Sequence, residues 1–119
     1  MSTMTLDEYL HTSFDGIDPE FFDGTVVERN GGTLSHSRAM VKLGFPFWRE
    51  QERAGLFAAL SLRLRIARNR VRVADIAVFE REPQEEVPST PPLVAIEILS
   101  PSDTIGYIVR SSRSTGNGV

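Results

Sequence analysis

The sequence contains no cysteine and only one lysine, Lys42, among its 119 residues. A chain without thiols forms no disulfide bond and no thiolate metal site, which is typical of cytoplasmic proteins. No apolar run approaches the roughly 20 residues needed to cross a bilayer. Residues 1–8 also lack the basic and apolar segments of a secretory signal. We therefore expect a cytoplasmic protein with no membrane partner.

The formal net charge of −3 argues against a protein that coats nucleic acid by bulk attraction. Twelve of the thirteen basic residues are arginines, and several of them are concentrated between residues 63 and 72. This concentration indicates either the solvated face of a hairpin or a patch that contacts phosphates. The candidate nucleic-acid contacts are Arg63, Arg65, Arg70 and Arg72.

The length and the hydrophobic content of 40% predict one folded domain. A helix is expected after the cap Thr5, a hairpin at Asp23-Gly24, and a long helix that starts at Thr33 or Ser35. The long helix either kinks at Pro46 or ends before it, so that a new helix starts there. Strands are predicted at 56–66, 71–79 and 93–100, a loop at 80–92 and a last helix at 104–110. This order indicates an α+β fold with a central sheet.

Alternation along the predicted strands assigns side chains to the two faces of the sheet. It places Leu60 and Leu62 on one face of the strand at 56–66. It also places Asp75 on the same face as Ala77.

Two of these strands are short apolar runs, and each carries one carboxylate near its middle, Asp75 in one and Glu97 in the other. An ionised carboxylate in apolar surroundings must be protonated, paired with a cation or bound to a metal. If the strands are neighbours, the two carboxylates suit a hard cation such as Mg²⁺. Alternatively, one carboxylate pairs with Arg70 or Arg72 and the other faces solvent at a strand end.

Four segments together are similar to one known family. These are MTLDEYL at 4–10, EFFDGTVVE at 20–28, VRVADIAV at 71–78 and PPLVAIEILSPSD at 91–103. In order and spacing they resemble the Uma-type family of restriction endonucleases, which belongs to the PD-(D/E)XK nuclease superfamily. The resemblance spans roughly residues 4–110.

The resemblance implies a restriction-endonuclease-like core with a central mixed sheet flanked by helices. It also implies hydrolysis of DNA phosphodiesters with Mg²⁺ (or Mn²⁺) as cofactor. By motif, Asp75 is the metal-binding aspartate, Glu97 the second acidic ligand and Glu20 an auxiliary acid. An exposed hairpin position is the alternative for Glu20. His36 falls where the family often has a histidine, and we expect it to make a local hydrogen bond at the helix start rather than to bind metal.

The chain departs from the family pattern at the catalytic lysine. Leu99 stands two positions after Glu97, where the motif has lysine, and the predicted helix at 104–110 contains none. The family continues with a further helix and strand, so the sequence predicts an incomplete domain at 1–110 and a disordered tail at 111–119. One alternative is therefore a degenerate, non-catalytic nucleic-acid-binding or interaction domain. An incomplete domain leaves a sheet edge unpaired and some apolar surface uncovered, which favours self-association, so a homodimer is a further expectation.

Overall fold

The computed structural model describes residues 3–29 and 32–99 and the backbone of 105–109. The described residues form two helices and six strands, and their α+β class is the one that the sequence predicts. They are α1 (Leu6–Leu10), β1 (Glu20–Phe22), β2 (Thr25–Val27), α2 (Leu34–Ala54), β3 (Phe57–Ala67), β4 (Arg70–Phe79), β5 (Val94–Ile98) and β6 (Ile105–Val109). The tail predicted at 111–119 lies outside the described residues, as does Arg110.

Both helices begin at the caps that the sequence predicts. Thr5 and Glu8 form a capping box at the start of α1, and the side chain of Thr33 accepts a hydrogen bond from the backbone of α2. The long helix continues through Pro46 and ends at Gly55, whose φ of 72° is the left-handed conformation that glycine favours. Within the described part of the chain, no helix is long and apolar enough to span a membrane.

The described strands form one sheet in which every pairing is antiparallel. The prediction of a mixed sheet is therefore wrong, because each described strand runs opposite to its neighbours. Asp23 and Gly24, both at positive φ, close the β1–β2 hairpin as predicted. Strand β4 is central, with β3 along one edge and both β1 and β5 along the other.

The segment predicted as a last helix is strand β6 at residues 105–109. It pairs antiparallel with β5 from Ile98↔Ile105 to Val94↔Val109. The segment is rich in β-branched and aromatic residues, which favour strands, and it provides hydrogen-bond partners for the outer edge of β5. Tertiary pairing therefore overrides the helix start signal at residues 100–103.

The alternation of β3 and β4 is interrupted at Ser61, where φ is 49°. Register pairs join Leu60 to Ile76 and Leu62 to Ala74, but Ser61 and Asp75 between them are not paired. Leu60 lies against α2, whereas Leu62 packs in a cluster with Ala74 and Ala77 that contains no residue of α2. The prediction that Leu60 and Leu62 lie on the same face of the strand is therefore wrong, because the alternation of side chains between the two faces reverses at Ser61.

Candidate active site

The candidate site lies where β1 and β5 leave a gap along one edge of β4. Strand β1 pairs with Arg70 and Val71, and β5 pairs with residues 76–78. Residues 72–75 between them pair with neither strand, and we refer to this segment as the β4 notch. Residues 72–74 pair with β3 on the other edge of β4, but on this edge the backbone groups face side chains rather than a neighbouring strand. Glu20, Asp75 and Glu97, the three predicted site carboxylates, all come from strands that border this notch.

Asp75 is the most buried of these carboxylates, with a side chain that is only 5% exposed. Its Oδ1 accepts a hydrogen bond from Nη2 of Arg29 at 3.0 Å, and its Oδ2 accepts one from the backbone N–H of Ile98 at 2.7 Å. Nε2 of His36 lies 3.4 Å from the same Oδ2. Asp75 thus faces the start of α2. Ala77 instead packs with Phe79 in a hydrophobic cluster that contains no residue of α2, so the prediction that Asp75 and Ala77 lie on the same face is wrong.

Glu20 and Glu97 are connected through Arg72. Nη2 of Arg72 donates to Oε1 of Glu97 at 2.7 Å, and its Nε lies 3.8 Å from Oε2 of Glu20. That same Oε2 accepts a hydrogen bond from the backbone N–H of Val73 at 2.9 Å. It also lies 4.0 Å from Nε of Arg29. Glu20 is therefore a partly buried member of the site and not an exposed hairpin residue.

The site is a connected series of opposite charges. Arg29 joins Asp75 to Glu20, and Arg72 joins Glu20 to Glu97. Pairing of Glu97 with Arg72 matches one of the two alternatives drawn from the sequence, but Asp75 does not face solvent. Three carboxylates and two guanidinium groups leave a formal charge of −1, so the site retains attraction for a cation.

The chemistry of the carboxylates fits a magnesium ion in part. Their oxygen atoms are the hard donors that Mg²⁺ prefers, and one or two carboxylates suffice when waters and phosphates complete the shell. However, no group of three or more His, Cys, Asp or Glu side chains among the described residues is arranged to hold one ion. The carboxylate oxygens are suitable ligands for Mg²⁺, but in the structure they pair with Arg29 and Arg72.

The four arginines predicted to contact nucleic acid have different surroundings. Arg63 binds both carboxylate oxygens of Asp18 and the carbonyls of Tyr9 and Thr12, and its hydrogen bond with Asp18 raises the pKa of its guanidinium. Its structural role is therefore to fasten β3 to the segment after α1. Its phosphate contact stays a prediction.

The other three predicted contacts are more accessible. Arg65 donates to the carbonyl of Arg68, and Arg70 makes a 3.5 Å contact with Asp23 at the surface. Arg72 belongs to the site itself. Accessible guanidinium groups therefore lie along the hairpin that leads into the β4 notch.

Arg29 is a site residue that sequence reasoning missed, and the imidazole of His36 has a contact that it did not predict. No motif marks Arg29, which follows β2 by two residues and is assigned to the site only by tertiary folding. The sequence predicted a local hydrogen bond for His36, and its backbone N–H does donate to Thr33. Its imidazole, however, is 8% exposed and points to Asp75, and Nε2 has no hydrogen-bond partner among the described residues.

A cavity of about 390 Å³ opens beside this cluster. Its lining includes Asp75, His36 and Arg29, together with the hydroxyl-bearing residues Ser37 and Ser61. Six of its ten lining residues have polar or charged side chains, so a small charged group can approach Asp75 from the α2 side. The site is therefore buried without being closed.

A family model described as "Uma2: Putative restriction endonuclease" matches residues 6–108. The crystal structure of a putative nuclease belonging to DUF820, from Anabaena variabilis, superposes with a TM-score of 0.70 at 25% sequence identity. That match covers 85% of this chain and 61% of the other chain, so this chain spans under two thirds of its length. No match was found among the curated proteins.

Proposed function

Because the chain belongs to the Uma2 family of putative restriction endonucleases, we propose that it is a Mg²⁺-dependent endonuclease that hydrolyses DNA phosphodiester bonds. The observation that supports this proposal is the chain of ion pairs at the β4 notch, in which Arg29 joins Asp75 to Glu20 and Arg72 joins Glu20 to Glu97. A buried carboxylate such as Asp75 is costly to maintain, and it lies beside a cavity that polar side chains help to line rather than within an apolar core.

In this proposal Asp75 and Glu97 hold the ion and Glu20 is the auxiliary acid. Mg²⁺, or Mn²⁺ in its place, would lower the pKa of a bound water and stabilise charge on the phosphate. The protein itself contributes a rigid frame: Asp75 is fixed by Arg29 and by the backbone N–H of Ile98.

The phosphate backbone would be contacted by the accessible arginines of the β3–β4 hairpin. Arg65 and Arg70 lie at its end, and Arg72 lies at the β4 notch. These contacts are sequence-independent, so they determine affinity and orientation rather than the target sequence. The affinity for duplex DNA is then expected to fall steeply with salt concentration.

A plasmid-nicking assay with Mg²⁺ or Mn²⁺ tests the proposal. We expect the wild type to nick plasmid only with a divalent ion, and Asp75→Asn and Glu97→Gln to lose at least about 100-fold in rate, as for loss of a major electrostatic contribution. Asp15→Asn, at an exposed loop position, is the matched control. Cleavage that survives Asp75→Asn would disprove the assigned role of Asp75.

A second candidate function is a non-catalytic nucleic-acid-binding domain. It is favoured by one observation: the only lysine, Lys42, is exposed on α2 and takes no part in the described contacts of the site. Arginine, with its high pKa and planar fork, is a poor substitute for a lysine that orients a water. Salt-dependent DNA binding without any cleavage under Mg²⁺ or Mn²⁺ would favour this second function.

A further inference from the structure

The two arginines of the site are held with unequal strength. Arg29 donates to Asp75 and to the carbonyl of Asp18, and its side chain is 15% exposed. Arg72 makes one short hydrogen bond, to Glu97, and its side chain is 31% exposed. Its Nε is buried, has no hydrogen-bond partner among the described residues and lies 3.8 Å from Glu20. Arg72 is thus the less firmly bound cation.

Arg72 also holds the oxygen atoms that a divalent ion would need. Its contacts go to Glu97, the proposed second ligand, and to Glu20, the proposed auxiliary acid. A guanidinium and a divalent ion at the same carboxylates repel each other, and the repulsion is strong where water is partly excluded. One of them must therefore leave Glu97 when the other binds.

We propose that Arg72 is a built-in counter-ion that competes with the divalent ion for Glu97 and, once released, binds a phosphate of the substrate. The inference rests on the proposed function, because it takes Glu97 as a metal ligand. Arg29 stays in place and continues to neutralise Asp75. The guanidinium of Arg72 is planar and has several donors, so it suits a phosphate as well as it suits a carboxylate.

This exchange couples metal binding to DNA binding. Without the ion, Arg72 is held by Glu97 and adds little to phosphate binding. With the ion, Arg72 is free, so a duplex should bind more tightly. By linkage, the duplex must raise the affinity for the ion by the same factor.

Calorimetric titration with Mn²⁺ alone tests the competition. We expect Arg72→Gln to bind Mn²⁺ about tenfold more tightly than the wild type, equivalent to about 1.4 kcal/mol. Arg81→Gln, an exposed loop variant with the same change in net charge, is the matched control and should differ from the wild type by less than about twofold, as expected for a screened surface charge. A merely structural role of Arg72 predicts the opposite direction, since a disturbed site binds the ion less well.

The outcomes separate this inference from the proposed function. Equal or weaker Mn²⁺ binding by a folded Arg72→Gln would overturn the inference while leaving Asp75 and Glu97 as ligands. Binding of Mn²⁺ by Arg72→Gln but not by the wild type would support it strongly. No binding by either would overturn both. If Arg72→Gln does not fold, Arg72→Lys replaces it, and its Mn²⁺ affinity should exceed that of the wild type because lysine lacks the planar fork.

DNA binding gives a second readout that does not depend on cleavage. The affinity for an uncleavable phosphorothioate duplex is measured with and without Ca²⁺. We expect Ca²⁺ to raise the affinity of the wild type by about tenfold or more, within the usual range of coupling between sites. The gain should be lost in Arg72→Gln and kept in Arg81→Gln. A full gain in Arg72→Gln would show that Arg72 is not the group released.

Discussion

Replacing Arg29 with methionine should destabilise the protein severely. Arg29 makes charge-assisted hydrogen bonds to Asp75 at 3.0 Å and to the carbonyl of Asp18 at 3.1 Å. Each such bond contributes about 1.5–3 kcal/mol. Its loss also leaves the buried Asp75 without its cation, and breaking a buried pair costs about 3–5 kcal/mol. We expect a loss of about 4 kcal/mol in the free energy of unfolding, or about 10–20 °C in Tm.

Urea denaturation followed by circular dichroism measures this loss, with Arg53→Met as an exposed control on α2 that should change stability by less than about 0.5 kcal/mol. The double variant Arg29→Met/Asp75→Asn should recover part of the loss, because it removes the uncompensated charge. Mn²⁺ should stabilise Arg29→Met more than the wild type, since a cation can then neutralise Asp75. A loss below about 1 kcal/mol would show that the pair is solvated and that the β4 notch is not a buried charge cluster.

Three further predictions concern stability and assembly. Burial raises the pKa of Tyr9 to about 12, so the stability that its neutral hydroxyl contributes is complete below pH 10 and is lost as the pH rises towards 12. Alkaline unfolding followed by circular dichroism should show this loss. Tyr9→Phe should remove the pH dependence and should cost about 1 kcal/mol, because it removes the hydrogen bond that the hydroxyl donates to the carbonyl of Pro19. Ser61→Val should cost about 1–3 kcal/mol because a β-branched residue is strained at a φ of 49°, whereas Ser61→Gly should cost little; equal losses in urea would contradict this. The homodimer stays a prediction, and Trp48 is an exposed apolar side chain on α2 through which it can form. Sedimentation velocity should show weaker self-association for Trp48→Glu than for the wild type. A wild type that is strictly monomeric would contradict this prediction.

Local signals in the sequence account for much of the fold. The caps Thr5 and Thr33, the turn at Asp23 and the end of α2 at Gly55 all depend on residues within a few positions of one another. Apolar surroundings also marked Asp75 and Glu97 as candidate site residues, whereas Glu20 came only from the family resemblance. Such features can be predicted because the physical cause is local.

Non-local features could not be predicted in this way. The reversal at Ser61 arises from a backbone conformation that serine adopts rarely, and alternation alone gives no sign of it. Strand β6 exists because it pairs with β5, so the helix signal before it was misleading. Arg29 reaches Asp75 across 46 positions of sequence, and only the folded chain brings them together.

The β4 notch also explains why the carboxylates are difficult to remove without damage. Where the strand pairing is interrupted, Glu20 accepts the N–H of Val73 and Asp75 accepts the N–H of Ile98. Buried N–H groups need an acceptor, so these side chains replace ladder hydrogen bonds as well as forming the candidate site. Alanine at Asp75 would leave the N–H of Ile98 unpaired and would confuse loss of a ligand with loss of structure. Asparagine retains a carbonyl oxygen as acceptor and removes the charge. Because the NH₂ group of asparagine cannot accept from Arg29, the urea midpoint of Asp75→Asn should fall, but by less than that of Asp75→Ala. Loss of metal affinity in both variants, with the larger loss of stability in Asp75→Ala, would show that the charge serves the ligand and the acceptor serves the fold.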